Sequence, residues 1–430
     1  MMSRLIAYIN KSLSDIHKKG FFHLLSANFL ISFLGFGAQL FVAKYLTSVD
    51  MGRIKTMQSF ISVAVVVAGF GLNTAVLKLC SENRSLVEKK HILKENLRLT
   101  FICTVIILVI MGALAVSGYL SPDATINHWI LLFIFSIPAS VLTSLLICYL
   151  QALKKIQLIS YAQVAIRLLG VLSLVIFTYC WKLSGFIIST VLVGLIAIIP
   201  LLRLIDLNWG DKYDGRDIVR QSLYYGKWSV ASNGLGVFGA SVDIFLLNYL
   251  IKDRAILGDY GLATIFILAM NQITGTVQAI VTPFFSEKSS NRSEFMRVLG
   301  KYQRLLIFVA AIITIAAIIL VPPFIKLIYK AKYPLSGMFF QILCLRYFFW
   351  SCYALLGVAL IGLGRMKDNF LASSVYVPIA IILSFVFIKT WGPIGAACAQ
   401  VAAGFCSLVV VYINCKLVLR SYFSVRQKND

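Results

Sequence analysis

The sequence predicts an all-α polytopic membrane protein with twelve transmembrane helices in two six-helix halves. Three observations predict it. Of 430 residues, 60% are hydrophobic and only 13% charged, with a mean hydropathy of +0.87, far outside the range of soluble domains. Apolar runs recur from end to end at about 20 residues each, the length that crosses a hydrocarbon core. The runs are continuous and not alternating, which excludes a membrane β-barrel. Finally, the basic residues are sorted by side. With a cytoplasmic N-terminus, and with residues near a span end counted with the adjoining side, 28 of the 40 Lys and Arg are cytoplasmic and 10 lie opposite, which leaves Arg167 and Arg346 deep inside spans. The net charge of +23 is thus a positive-inside signal, and nucleic-acid binding is not needed to explain it.

Residues 1–20 are basic and polar, with Leu5, Ile9, Leu13 and Ile16 spaced for one helical face. They lack the apolar core and cleavage site of a signal peptide and read as a cytoplasmic interfacial helix. The N-terminal half, 21–210, carries spans Phe21–Leu46, Ile54–Leu77, Leu97–Tyr119, Trp129–Leu150, Ile156–Cys180 and Leu183–Leu202. A polar break, Ile205 to Gln221, follows. The C-terminal half, 211–415, carries Ser222–Leu250, Tyr260–Phe284, Leu305–Ile328, Leu335–Leu360, Phe370–Ile388 and Ile394–Tyr412, and 416–430 is a cytoplasmic tail. Pro138, Pro283 and Pro378 interrupt spans and mark kinks or bending points.

The halves repeat. Phe36-Gly37-Ala38 recurs as Phe238-Gly239-Ala240, and Asp50-Met51-Gly52 as Asp259-Tyr260-Gly261. Trp181, Gly185 and Gly194 match Trp391, Gly395 and Gly404 at an offset of 210. Six spans is an even number, so both halves enter from the same side and form a parallel repeat, with a binding site expected between them near the midplane.

Some motifs are excluded. Gly234-Leu235-Gly236-Val237-Phe238-Gly239 spells the dinucleotide fingerprint, but that needs a βαβ unit, and here the glycines lie in a membrane span where they let helices approach. Nine cysteines without CxxC spacing and four scattered histidines make no metal site. No cofactor is expected.

Several polar residues lie within the spans. Arg167 and Arg346 each sit 11 residues into their span, about 17 Å deep at helical rise. A guanidinium stays charged there and presents a donor fork suited to a diphosphate; the alternative is a structural pairing that pins helices. Asp243 reads either as a carboxylate coupling to a proton or sodium gradient, or as the ion-pair partner of a basic residue on a neighbouring helix. Lys44, at the outer end of the first span, could attract phosphate or merely snorkel. The amides Asn28, Gln39, Gln58, Asn73, Asn271, Gln272 and Gln278 could bond sugar hydroxyls or other helices.

Together these residues resemble the polysaccharide-export branch of the MATE-like (MOP) flippase superfamily. The resemblance rests on Asn28 and Gln39 in the first span, Lys44-Tyr45-Leu46 with Asp50-Met51-Gly52 at its exit, and Gln151-Ala152-Leu153-Lys154. It also rests on the seventh-span pattern Tyr225-Gly226, Asp243, Leu246-Leu247, Gly258, Tyr260-Gly261. Within that group the chain is most similar to Wzx-type O-antigen flippases. The resemblance implies a V-shaped, alternating-access transporter moving undecaprenyl-diphosphate-linked oligosaccharide from the cytoplasmic to the periplasmic leaflet of the inner membrane. It also implies a polysaccharide polymerase and chain-length regulator as partners. Drug/cation antiport is the second transporter reading, and a membrane polymerase or ligase acting on lipid-linked glycans the enzyme reading. The latter needs a sizeable outer loop or acidic cluster, and the outer loops here are short.

Overall fold

The computed structural model describes residues 21–205, 216–287, 291–363 and 365–426. The expected interfacial helix at 1–20, most of the polar break (206–215) and the last four residues of the tail lie outside them. Every regular element among the described residues is a helix: α1 Phe21–Tyr45, α2 Ser48–Gly69, α3 Leu72–Ser81, α4 Leu86–Val116, α5 Ala124–Phe133, α6 Ser136–Ala152, α7 Ile156–Arg203, α8 Arg216–Leu250, α9 Arg254–Glu287, α10 Arg292–Tyr329, α11 Ser336–Gly362, α12 Met366–Ser374, α13 Tyr376–Trp391 and α14 Pro393–Arg426. Local chemistry sets several starts. Ser85 and Glu88 cap α4 reciprocally, and the Asn291 side chain accepts from the N–H groups of Ser293 and Glu294 at the head of α10, each filling donors that a helix start leaves open.

Seven of these helices are long and apolar enough to cross a membrane, or up to nine when each bent pair counts as one. The bent pairs are α2 with α3, at 43°, and α5 with α6, at 41°. The expected twelve separate runs therefore do not map one to one onto the helices. Spans two and four are broken. Spans five and six fuse into α7, interrupted at Lys182, where φ is 50° and ψ −123°. The breaks have identifiable causes. Phe70 and Gly71 both take positive φ between α2 and α3. Pro138 and Pro378 each fall in the first turn of a helix, where no intrahelical partner for the missing N–H is lost. Pro283 lies within α9.

The repeat is visible in local geometry. At Trp391-Gly392-Pro393 the chain stops α13 and starts α14, with Gly392 at φ 63° and ψ −144°. At the matching position, Lys182 takes nearly the same dihedrals. Gly395 then packs against the Phe387 carbonyl and Gly185 against the Phe177 carbonyl, each with no room for a Cβ. Phe387 and Trp391 rings lie 4.6 Å apart, Phe177 and Trp181 5.0 Å. One half writes this turn with glycine and proline, the other with lysine and leucine. Lysine at this φ is strained, so Lys182→Gly is expected to stabilise the protein by about 1 kcal/mol, read as a higher thermal midpoint in detergent; a lower midpoint would contradict the strain.

Contacts divide the chain into two compact units: Met1–Val42, Val67–Gly112 and Leu131–Val230 form one, and Ala43–Val66, Ala113–Ile130 and Ala231–Asp430 the other. The first is built on α3, α6 and α7, around Leu72, Val76, Leu145, Tyr149, Leu201 and Ile218. Gly226, of the Tyr225-Gly226 pair, sits on the Phe70 carbonyl, and Gly71 on the Gly226 carbonyl, so α8 approaches the α2–α3 break backbone to backbone. The second unit packs α9, α10 and α14 on α11, and α13 on α14, over Phe285, Phe295, Leu299, Leu355 and Val411. Apolar side chains such as Phe101 (69% exposed) and Leu327 (80%) stay uncovered; in a bilayer they face acyl chains. With lipid as solvent, close glycine contacts and interhelical hydrogen bonds hold the bundle more than apolar burial does.

Candidate functional site

The second unit contains a cavity of about 320 Å³ with Arg346 in its wall. α11 brings Arg346, Tyr347, Trp350 and Tyr353 to it at helical spacing; α8 contributes Ser232 and Gly236, α9 Asn271, α13 Tyr376, and α14 Gly404 and Ser407. An arginine Nη2 donates to the Tyr376 hydroxyl at 3.2 Å, which donates to Gln400 Oε1 at 2.6 Å. The GxGxxG glycines lie within α8, as a helix-packing run should. Gly239 is pressed by Tyr376 and Val377, whereas Gly236 opens onto empty space.

Asp243 sits deeper in α8, 2% exposed. Its carboxylate accepts from the Tyr260 hydroxyl on α9 and from the Ile244 N–H at 2.9 Å. Asp243 lies one helical turn beyond Gly239, which is pressed by Tyr376, the acceptor of the Arg346 hydrogen bond, so the carboxyl and the guanidinium belong to one neighbourhood of the second unit. The seventh-span pattern thereby gains a structural meaning. Tyr260 holds the Asp243 carboxylate, Gly258 lies on the Ser48 backbone, and Gly261 lies under the stem of Lys55.

The other sequence candidates are dispersed. In the first unit, the Arg167 guanidinium lies directly over Gly35, in space any side chain there would fill. Gln39 keeps a buried Oε1 without a hydrogen bond. Asn73 donates to Ser144 Oγ at 3.1 Å and accepts from the Thr74 N–H, an interhelical use of the amide. Asn28 has its side chain outside the described residues. In the second unit, Lys44 is exposed and its main-chain carbonyl accepts from Lys332 Nζ at 2.8 Å, while Gln278 donates to the Ala354 carbonyl. Of the proposed ligands, Arg346 and Asn271 share the cavity.

Sequence reading missed the aromatic wall, because tyrosines and tryptophans at helical spacing look like ordinary core. It also passed over Lys55, which lies within the expected second span and is buried inside α2 at 8% exposure. A third feature missed is an ion cluster in the second unit, where Asp123 accepts from Arg53 Nε at 2.9 Å and lies 3.9 Å from Arg254. Burial alone would raise the Asp123 pKa, but the hydrogen bonds from Arg53 and the Thr125 N–H hold it below the usual carboxylate value. A depressed carboxylate contributes stability above its unfolded pKa and loses it as pH falls through the folded value. Thermal stability should therefore fall below about pH 4, and Asp123→Asn should flatten that part of the profile; an unchanged profile would contradict the assignment.

The family described as "Polysaccharide biosynthesis protein" matches residues 17–289. The chain belongs to this family. Its fold matches that of the lipid II flippase MurJ in an inward closed conformation with a TM-score of 0.76 at 17% identity, over 92% of this chain and 87% of that one. An inward-facing multidrug resistance MATE family transporter of the MOP superfamily gives 0.76 at 12%, over 90% and 95%. A MOP superfamily transporter from Pyrococcus furiosus, described as having a binding pocket of reverse polarity, gives 0.67 at 12%, over 93% and 96%. No curated protein matches the chain. The family resemblance and the all-helical transporter fold expected from the sequence are upheld.

Proposed function

We propose that the protein is a flippase for lipid-linked glycan precursors, moving polyprenyl-diphosphate-linked repeat units of the O-antigen kind from the cytoplasmic to the periplasmic leaflet. It would lie in the inner membrane with both termini cytoplasmic, as the positive-inside distribution favours. The observation that carries the reading is the arginine-containing, donor-rich cavity among apolar spans in a chain of a polysaccharide biosynthesis family. A cation antiporter would want carboxylates in such a wall, and none of the lining residues is acidic. The test is genetic and chemical. Cells lacking the protein should accumulate the lipid-linked glycan on the cytoplasmic leaflet and lose surface glycan; normal display and distribution would overturn the proposal.

Arg167 is the candidate for the diphosphate in this reading. Gly35 gives a way to move it without removing it, since a methyl at 35 would displace only the tip of a flexible side chain. Gly35→Ala should leave stability near that of wild type and lower surface glycan by about tenfold, the equivalent of one charge-assisted hydrogen bond. Arg167→Gln should do the same, and Arg167→Lys should retain part of the activity because it keeps charge but loses the fork. Full export from both Gly35→Ala and Arg167→Gln would remove Arg167 from the mechanism.

A further inference from the structure

The cavity of the second unit has three properties that together select a ligand. It is small, at about 320 Å³, near the lower end of the 300–1,000 Å³ typical of small-molecule sites. A whole lipid-linked oligosaccharide cannot enter it; one ring can. Its wall alternates flat aromatic faces with short polar groups: Trp350, Tyr353 and Tyr376 beside Ser232, Asn271 and Ser407. Arg346 belongs to the same wall, and among the described residues its hydrogen-bond acceptor is the Tyr376 hydroxyl alone. A guanidinium has five N–H donors, so most of them remain for a guest.

The charge balance then decides the class of guest. A diphosphate would suit an arginine far from any acid, but Asp243 lies one helical turn along α8 from Gly239, which packs on the same Tyr376 that Arg346 bonds. A multiply charged anion entering here would meet that carboxylate as well as the guanidinium. A neutral hydroxylated ring meets no such opposition. It can accept from Arg346 and Asn271, exchange hydrogen bonds with Ser232 and Ser407, and lay its C–H face on Trp350 or Tyr353. We propose that this cavity is a subsite for one neutral sugar ring of the transported glycan, of hexose or N-acetylhexosamine size, and that Arg346 serves it as a neutral-ligand donor and not as the diphosphate clamp. The inference rests on the flippase reading and assigns the glycan and the diphosphate to different groups.

The test uses the full-length protein in detergent and two probes: a short-chain isoprenyl diphosphate, and the same lipid carrying one N-acetylhexosamine on its terminal phosphate. Wild type should bind the glycosylated lipid about 10- to 100-fold more tightly than the bare one, the range of one or two good hydrogen bonds with stacking. Gly236→Leu fills the cavity from a position with open space above its Cα, and Trp350→Ala removes an aromatic face without filling it. Each should reduce the advantage of the sugar to about threefold or less, with the thermal midpoint of each variant recorded beside it. Equal binding of the two lipids by wild type would overturn the subsite while leaving the flippase reading intact. A sugar preference that survives both substitutions in folded protein would also overturn it, because the ring would then be held elsewhere. Failure of wild type to bind either lipid would overturn the flippase reading and the subsite with it.

Discussion

Replacing Asp243 by leucine should destabilise the protein by about 3 kcal/mol, whereas the double variant Asp243→Leu/Arg346→Met should recover most of that loss. The carboxylate is 2% exposed, accepts from Tyr260 and lies one helical turn from Gly239, which packs on the Tyr376 that Arg346 bonds. Removing it leaves a buried hydroxyl without its acceptor and a buried guanidinium without its counter-charge, and breaking a buried charge pair from one side costs about 3–5 kcal/mol. Because the guanidinium keeps its hydrogen bond to Tyr376, the effect falls at the lower end. Replacing both charges with apolar groups of similar size is commonly neutral or better. Surface glycan should be lost in both variants, since a pair that only stabilised the fold would let the double variant export. The measurement is the thermal midpoint in detergent, alongside glycan display. A single variant as stable as wild type would show that Asp243 does not compensate Arg346.

The second large effect concerns the repeated turn. Gly185→Val and Gly395→Val should each cost about 3 kcal/mol or more, at or beyond the usual range for overpacking. At both sites the new Cβ would meet a main-chain carbonyl, Phe177 in one half and Phe387 in the other. A carbonyl inside a helix cannot turn aside as a side-chain tip can. The expected readout is a severe and similar drop in membrane abundance for both variants. If valine is tolerated at either glycine, the two turns do not share the packing that the 210-residue offset describes.

The fold was legible in the sequence where lipid dictates composition. Apolar length and the Trp181/Trp391 and Gly185/Gly395 pairs reflect constraints that act on each segment by itself. The helix breaks were less legible. Lys182 adopts with a lysine the turn that its counterpart makes with Gly392 and Pro393, so half of the signal is absent from the chain. Of the site, Arg346, Asp243 and Asn271 stood out because charge and amides are rare in spans, and Arg346 and Asn271 meet in one cavity. Tyr376, Trp350 and Gln400 did not stand out, because an aromatic or an amide becomes part of a site only through what tertiary packing sets beside it. Asn73 shows the converse, a candidate amide engaged by Ser144.

The most direct measurement is transport by the purified protein. In liposomes reconstituted with the full chain, a fluorescent polyprenyl-diphosphate-linked oligosaccharide placed in both leaflets should become accessible to an external quencher throughout, while protein-free liposomes protect the inner pool. The same vesicles should leave the distribution of an organic cation unchanged. Movement of the lipid-linked glycan with no effect on the cation is the predicted result. Cation transport with a static lipid-linked glycan would contradict the account.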